Sequence, residues 1–186
     1  MKEHSFNTAT ITTIGMFTAV LAVLSILQIP MPSGVPITLQ TFAVALCGYV
    51  LGRKHGTLCI LLYLLLGFAG VPVFTGMTGG IGKLVGYTGG FLYGFLFLAF
   101  FSGLGSHCKN KVISFGLGII GLLICHFLGA FHYSIIAQVG FIPAFLLVSV
   151  PYLAKDVLSV LGAMLVGAVL RKTLARNGIS PQNSED

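Results

Sequence analysis

The chain has 186 residues, of which 56% are hydrophobic and 8% are charged, with ten Lys or Arg and four Asp or Glu. Soluble domains carry charged side chains at roughly a quarter of their positions, so this content excludes a soluble globular domain, as does the mean hydropathy of +1.00. The composition instead predicts an all-α membrane protein, in which segments of about 20 apolar residues cross the bilayer.

Apolar runs and the residues that interrupt them predict six transmembrane helices in one compact bundle, a single domain over residues 1–186. The first run ends at Pro30, where three prolines within seven residues prevent a helix. Gly52-Arg53-Lys54 separates the second run from the third, and Pro72 closes the third. Both of these runs are short, so they need help from neighbouring irregular backbone or do not cross the whole bilayer. The predicted spans are about 11–29, 37–51, 57–71, 91–105, 112–133 and 152–170.

A glycine-rich segment follows the third run, with seven glycines between residues 73 and 90. It contains too much glycine for a continuous helix, yet it is too apolar for an ordinary solvated loop. Non-helical backbone at membrane depth is tolerated where it is packed inside protein or lines a cavity. We therefore expect an outward-facing loop that lines a cavity. Residues 134–151, interrupted by Pro143 and Pro151, are expected to form a partial helix.

The basic residues are distributed unevenly about the predicted spans. With six spans, eight of the ten fall on the side that carries both termini. Cytoplasmic loops are enriched in Lys and Arg, so we expect a multi-pass protein of the cytoplasmic (inner) membrane, surrounded by membrane lipid, with both termini in the cytoplasm. The charges form no stripe with interleaved aromatics, so no nucleic-acid partner is expected. The eight are Lys2, Arg53, Lys54, Lys109, Lys111, Arg171, Lys172 and Arg176.

Three charged residues remain once this side and the terminal tails are set aside, namely Lys83, Lys155 and Asp156. Ionisable groups near a bilayer are costly and indicate function. On the outward side, beside aromatics and glycine-rich backbone, they predict a site for a small molecule with N–H donors, a carboxylate and an apolar body. A structural interpretation is also open. Asp156 would then stabilise the first turns of the last helix, and Lys155 would reach to the interface.

Four stretches of the sequence carry a family resemblance: Val35-Pro-Ile-Thr-Leu-Gln-Thr41, Tyr63-Leu-Leu-Leu-Gly-Phe-Ala-Gly-Val-Pro-Val-Phe74, Gly79-Gly80 and Gly86-Tyr-Thr-Gly-Gly-Phe-Leu-Tyr-Gly-Phe95. Together they resemble the BioY family, the biotin-specific substrate-binding (S) components of energy-coupling factor (ECF) transporters. The resemblance extends over about residues 11–172. It implies six helices, biotin bound near the outward face, no catalysis and no cofactor. It also implies a partner module made of a transmembrane coupling protein and two cytoplasmic ATPases.

The last span departs from the family pattern, in which an Asp and a Lys lie three residues apart on one helix face. Asp156 matches the Asp, but Ser159 stands at the Lys position and Lys155 at a Gly position. Tyr87 replaces the usual Pro before Thr-Gly-Gly. The positive charge of the family's Lys is then expected to come from Lys83 or Lys155, or else Ser159 provides only a weaker polar contact with the ligand at that position.

The resemblance also implies roles for single side chains. Asp156 would accept hydrogen bonds from the ureido N–H groups of biotin, and the Gln40 amide would complete that set or only pack against a helix. Thr88 would donate to the ligand or cap the fourth helix. Phe74 and Tyr93 would pack on the ring system, although helix packing is the simpler explanation for each aromatic alone. The predicted substrate-binding residues are Gln40, Phe74, Lys83, Thr88, Tyr93, Lys155, Asp156 and Ser159.

Small residues recur four apart in the first span, in the pairs Gly15 and Ala19, and Thr18 and Ala22. This spacing lets helices approach closely. It resembles the surface through which S components dock on the coupling protein, and packing within the bundle explains it equally well.

Two other functions are alternatives to biotin transport. A membrane-embedded enzyme needs a nucleophile, a base or a metal set, and the sequence has no H-E-x-x-H or G-x-S-x-G motif. His126 and His132 lie six residues apart on different helix faces, so we interpret them as packing residues and not as a metal site or proton relay. A stand-alone carrier, or an S component for another small vitamin with a carboxylate, stays open.

Overall fold

The computed structural model describes residues 8–176, so Lys2, Glu3, Glu185 and Asp186 lie outside the described range. Within it the chain is mostly helical, and five of its helices are long and apolar enough to span a membrane, namely α1, α2, α4, α5 and α7 as defined next. The elements are α1 (Thr8–Ile26), β1 (Gln28–Ile29), β2 (Ile37–Thr38), α2 (Gln40–Phe68), α3 (Ile81–Val85), α4 (Gly89–Ser106), α5 (Lys111–Ile136), α6 (Phe141–Val148) and α7 (Val150–Arg176).

A short ribbon replaces the predicted end of the first span and start of the second. Helix α1 ends at Ile26, and strands β1 and β2 pair antiparallel, with Gln28 opposite Thr38 and Ile29 opposite Ile37. The proline-rich segment 30–36 connects the two strands. The predicted boundaries at 29 and 37 were therefore wrong, because two-residue strands at the edge of an apolar run have no periodicity of their own.

Helix α2 covers the second and third predicted spans and is interrupted at Gly52, where the break was predicted. Gly52 has φ 80° and ψ 179°, non-helical values within an otherwise continuous helix. Only glycine adopts this backbone conformation readily, because it has no Cβ. Residues 40–51 and 53–68 are called the first and second arms of α2 below.

The two arms of α2 lie side by side and antiparallel. The Gln40 side-chain amide donates to the Tyr63 hydroxyl at 2.7 Å, and the sulfurs of Cys47 and Cys59 are 3.6 Å apart. These partners are 23 and 12 residues apart in sequence. In a straight helix they would be separated by about 35 Å and about 18 Å. Gly52 is therefore the turn of a helical hairpin.

The remaining helices are longer than predicted. Helices α4, α5 and α7 extend the runs 91–105, 112–133 and 152–170 at both ends. The α5 start is fixed by Asn110, whose side chain accepts a hydrogen bond from the Val112 N–H at 2.8 Å. Helix α6 provides the partial helix expected within residues 134–151.

Packing places α4 at the centre of the described bundle, against α2 on one side and α5 on the other. Helix α7 contacts α2 and α5, and α1 contacts α2. The outer surface is apolar, with side chains such as Ile11, Val112 and Leu158 more than half exposed. Such a surface, with the polar backbone satisfied inside helices, is suited to a lipid environment.

The two ends of the bundle differ in charge. Arg53, in the turn of α2, packs against Gly103 near the end of α4, and the Arg171 guanidinium donates to the Ser106 carbonyl. These contacts bring the α2 turn, the α4–α5 connection and the end of α7 together. Among the described residues, this end carries Arg53, Lys54, Lys109, Lys111, Arg171, Lys172 and Arg176, whereas Lys83 and Lys155 lie at the other end.

Candidate functional site

A cavity lies at the end of the bundle that carries Lys83 and Lys155. It is bounded by the ribbon, the start of α2, the segment after α2, and helices α4, α5 and α7. Six of the eight predicted binding residues line it: Gln40, Phe74, Lys83, Thr88, Lys155 and Asp156. The other lining residues are Val35, Pro36, Thr38, Thr41, Thr75, Phe91, Leu92, Phe95, Leu122, Cys125, His126, Val148 and Tyr152.

The Asp156 carboxylate is the central charged group of the cavity. The residue is 5% exposed. One carboxylate oxygen, Oδ2, lies 3.2 Å from His126 Nε2, and the other, Oδ1, forms an ion pair with the Lys155 ammonium. Asp156 lies beyond the first turn of α7, past the N–H groups that a helix leaves unpaired. Its partners are therefore side chains, not the helix N-terminus that the structural interpretation invoked.

The two lysines of the cavity have different surroundings. The Lys155 ammonium also donates to the Thr38 carbonyl of β2 at 2.9 Å, so it joins α7 to the ribbon. The ammonium of Lys83, on the short helix α3, makes no hydrogen bond or ion pair with any residue between 8 and 176. The Lys155 ammonium is thus paired with the Asp156 carboxylate and the Thr38 carbonyl, whereas the ammonium N–H groups of Lys83 are free to bind a molecule in the cavity.

The first residue of α2, Gln40, is held by the second arm. It is 5% exposed, and its amide N–H donates to the Tyr63 hydroxyl. Tyr63 packs edge-on against Phe74, with ring centroids 5.3 Å apart. Phe74 in turn covers Gly67, where a Cβ would overlap its ring. This packing orients the Gln40 amide and leaves its carbonyl oxygen as an acceptor.

Thr88 is the N-cap residue of α4 and lines the cavity. Its side chain makes no capping hydrogen bond to the helix. The Thr88 hydroxyl therefore does not cap α4, which was one of the two roles expected from the sequence. The hydroxyl remains available to a molecule in the cavity.

Tyr93 and Ser159 do not line the cavity. The Tyr93 hydroxyl donates to the Leu84 carbonyl at 3.0 Å, and its ring packs edge-on against His132. Tyr93 belongs to a different face of α4 from the lining residues Leu92 and Phe95, because successive helix positions differ by about 100°. Ser159 lies almost one turn further along α7 than Asp156.

His126 and Tyr152 are cavity residues that the sequence analysis did not select. His126 was interpreted as a packing residue, and the structure instead places its Nε2 against Asp156. The Tyr152 hydroxyl donates to the Val35 carbonyl and so holds the proline-rich segment against α7. No local pattern pairs residues that are about 30 or more than 100 positions apart, so only the three-dimensional packing reveals these contacts.

The four small residues of α1 divide into two groups. Gly15 and Ala19 are exposed, and a side chain at Gly15 would meet open space. Thr18 is buried, and its hydroxyl lies 2.9 Å from the Ile14 carbonyl and 3.3 Å from the Cys59 sulfur. Ala22 is partly buried against the core. Gly15 and Ala19 therefore face outward from α1, whereas Thr18 packs within the bundle.

Comparison with known proteins gives consistent results. The model of the BioY family matches residues 1–176. The biotin transporter BioY of Thermotoga maritima is 39% identical over 166 residues, which cover 85% of this chain and 93% of that protein. The biotin transporter BioY2 of Lactococcus lactis is 40% identical over 167 residues, 89% of this chain and 91% of that protein.

A solved structure has the same fold. It is the 2.1 Å crystal structure of the S-component for biotin from an ECF-type ABC transporter. Its TM-score to this chain is 0.80 at 27% sequence identity, over 88% of this chain and 90% of that one. Because the family model matches the whole described range, the chain belongs to the BioY family.

Proposed function

We propose that this chain binds biotin and takes part in its uptake as the S component of an ECF-type transporter. The observation that carries the proposal is a buried carboxylate, Asp156, held in a largely apolar cavity that also presents the free ammonium of Lys83. Biotin offers the complementary groups, because its ureido ring has N–H donors, its bicycle is apolar and its side chain ends in a carboxylate.

The charge of the cavity favours an anionic ligand. Asp156 and Lys155 form an ion pair and neutralise one another, whereas Lys83 has no acidic partner among the described residues. The site therefore has an excess positive charge, and a ligand carboxylate near Lys83 would balance it. The excess positive charge favours biotin over vitamins without a carboxylate. It leaves another small carboxylate-bearing vitamin as the competing ligand.

Hydrogen-bonding groups at the ureido end fit the same ligand. Asp156 can accept further hydrogen bonds, because each carboxylate oxygen has two lone pairs. The Gln40 carbonyl oxygen is a second acceptor, and the Thr88 hydroxyl can donate to the ureido carbonyl. Phe74 and Phe91 provide the aromatic surface of the cavity against which the bicycle would pack.

We infer that the chain crosses the cytoplasmic membrane six times. The support is the hairpin of α2, whose arms count separately beside α1, α4, α5 and α7. The arms of 12 and 16 residues are about 18 Å and 24 Å long, shorter than a hydrocarbon core of about 30 Å. The ribbon and the segment between α2 and α4 extend beyond the arms at the cavity end. An even number of crossings puts both termini on one side, and the basic end indicates that this side is the cytoplasm.

We further propose that the exposed face of α1 contacts the transmembrane coupling protein of an ECF module, which also contains two cytoplasmic ATPases. Gly15 and Ala19 provide a flat outward surface on α1. Within a membrane, small residues favour helix association because they let two backbones approach.

Binding of tritiated biotin to the purified chain in detergent tests the proposed ligand. We expect saturable binding in the micromolar range or tighter, displaced by unlabelled biotin but not by thiamine or riboflavin. Displacement by another carboxylate-bearing vitamin with higher affinity would reassign the ligand, and absence of biotin binding would refute the proposal.

Reconstitution distinguishes an S component from a stand-alone carrier. Liposomes that contain the chain alone are expected to bind biotin without accumulating it. Addition of the coupling protein, the ATPases and ATP is expected to start uptake. Accumulation by the chain alone would instead show that it is a carrier independent of ATPases.

A further inference from the structure

His126 is a buried polar residue for which the transported ligand alone gives no role. It lies on α5, is 2% exposed and lines the cavity. Its ring packs edge-on against Phe91, with centroids 5.8 Å apart and an interplanar angle of 88°. This packing fixes the plane of the imidazole, and the Nε2 atom then points at Oδ2 of Asp156 from 3.2 Å.

The chemistry of the contact determines where the proton lies. Asp156 is paired with the Lys155 ammonium, and an ionised carboxylate only accepts hydrogen bonds. The hydrogen between the two groups must therefore be carried by His126 Nε2. The other ring nitrogen, Nδ1, is buried without a hydrogen-bond partner among the described residues. Nε2 is therefore the ring nitrogen that donates to Asp156, and Nδ1 takes no part in the contact.

We propose that His126 is a positioning residue for biotin, which orients the Asp156 carboxylate through the Nε2–H···Oδ2 hydrogen bond. The inference rests on the proposed function and specifies how that site is organised. Rotation of a carboxylate about its last side-chain bond is broad and weakly restricted. One donor on each oxygen, Lys155 on Oδ1 and His126 on Oδ2, fixes its plane before the ligand arrives.

His126 is the more rigid of the two donors. The Lys155 side chain is 31% exposed, whereas that of His126 is 3% exposed and clamped by Phe91. The two donors also come from different helices, so the hydrogen bond from α5 couples the orientation of the carboxylate to the packing of α5 against α7. Pre-orienting an acceptor improves affinity because less freedom is lost on binding.

Three substitutions at one position separate hydrogen bonding from packing. His126→Gln keeps an amide N–H at about the distance of Nε2, so we expect biotin affinity close to that of the unmodified chain. His126→Asn ends near the position of Nδ1 and does not reach Asp156, and His126→Leu has no donor. For Asn and Leu we expect affinity about tenfold lower, the effect of losing one hydrogen bond to a charged group.

A double-mutant cycle shows whether His126 acts through Asp156. We expect His126→Leu to weaken biotin binding in the unmodified chain but to have little further effect in an Asp156→Asn background. A purely structural contribution would instead add to that of Asp156→Asn. His132→Gln is the matched control, because His132 is on the same helix, bonds the Gly86 carbonyl at 3.0 Å and does not line the cavity.

The outcomes separate this inference from the proposed function. If the unmodified chain does not bind biotin, both are overturned. If it binds biotin and the Asn and Leu variants bind equally well, or if Gln is as weak as Asn, the positioning role is refuted while the function stands. Should the Leu variant not be recovered folded, the comparison of Gln with Asn decides, since both side chains are polar amides.

Discussion

Replacing Asp156 by Asn removes one negative charge from the cavity with almost no change in shape. The carboxylate presents two acceptor oxygens to two donors, His126 Nε2 and Lys155 Nζ. An amide has one oxygen and one NH2 group. In Asp156→Asn, one of the two donors therefore faces another donor, whichever way the amide is turned.

The size of the effect on binding follows from the loss of charge. A hydrogen bond to a charged group contributes about 1.5–3 kcal/mol, against about 1 kcal/mol for a neutral pair. A ureido N–H that moves from a carboxylate to an amide oxygen thus loses about 1–2 kcal/mol, which is about 5- to 30-fold in Kd. The unpaired Lys155 adds little to the folding cost because its side chain is 31% exposed and can turn to water.

Isothermal titration of biotin into the purified chain measures this change. The unmodified protein, Asp156→Asn and the control Leu158→Ala are compared. Leu158 is on the same helix and 67% exposed, on the face turned away from the cavity. An Asp156→Asn protein that binds biotin within about twofold of the unmodified chain would refute the reasoning, because Asp156 would then have no contact with the ligand.

Three further predictions concern the second charge, the hairpin and the partner surface. Lys83→Gln is expected to weaken biotin binding about three- to tenfold while leaving the affinity for biotin amide, measured by competition, unchanged; equal losses for both ligands would exclude a contact with the carboxylate. Oxidation by iodine should form a disulfide between Cys47 and Cys59. Peptides produced by tryptic cleavage between the two cysteines should then stay linked until the disulfide is reduced. In a continuous straight helix the two thiols would be too far apart to form this bond. Ala19→Trp should prevent co-purification with the coupling protein but leave biotin binding intact, whereas Val20→Trp, at an exposed position about 100° around α1 from Ala19, should affect neither.

The elements predicted best were those marked by local chemistry. Helices α1 and α2 end at Ile26 and Phe68, four residues before Pro30 and Pro72, and neither continues through its proline because proline has no N–H to donate. Gly52 interrupted α2 as expected, and the scarcity of charge in the sequence made Asp156 conspicuous. These signals are contained in single residues or in short windows, so they do not depend on how the chain folds in three dimensions.

The features that could not be predicted are tertiary. The two-residue strands β1 and β2 exist only because the chain on either side of the proline-rich segment meets again. Tyr93 was grouped with the ligand on its residue type, but helix α4 turns it toward Leu84 and His132. His126 was interpreted as a packing residue because its acidic partner comes from α7, 30 positions along the chain.

The position of Lys155 explains how this chain keeps a cation beside Asp156 although it departs from its family pattern. A Lys three residues after the Asp would share its helix face. Lys155 is instead the immediate neighbour of Asp156, about 100° around the helix, and its long side chain folds back to the carboxylate while also bonding the Thr38 carbonyl. The cation is thereby placed between α7 and the ribbon, not deeper in the cavity. The other Asp156 oxygen, Oδ2, is contacted by His126, so the two carboxylate oxygens of this chain are contacted from α7 and from α5.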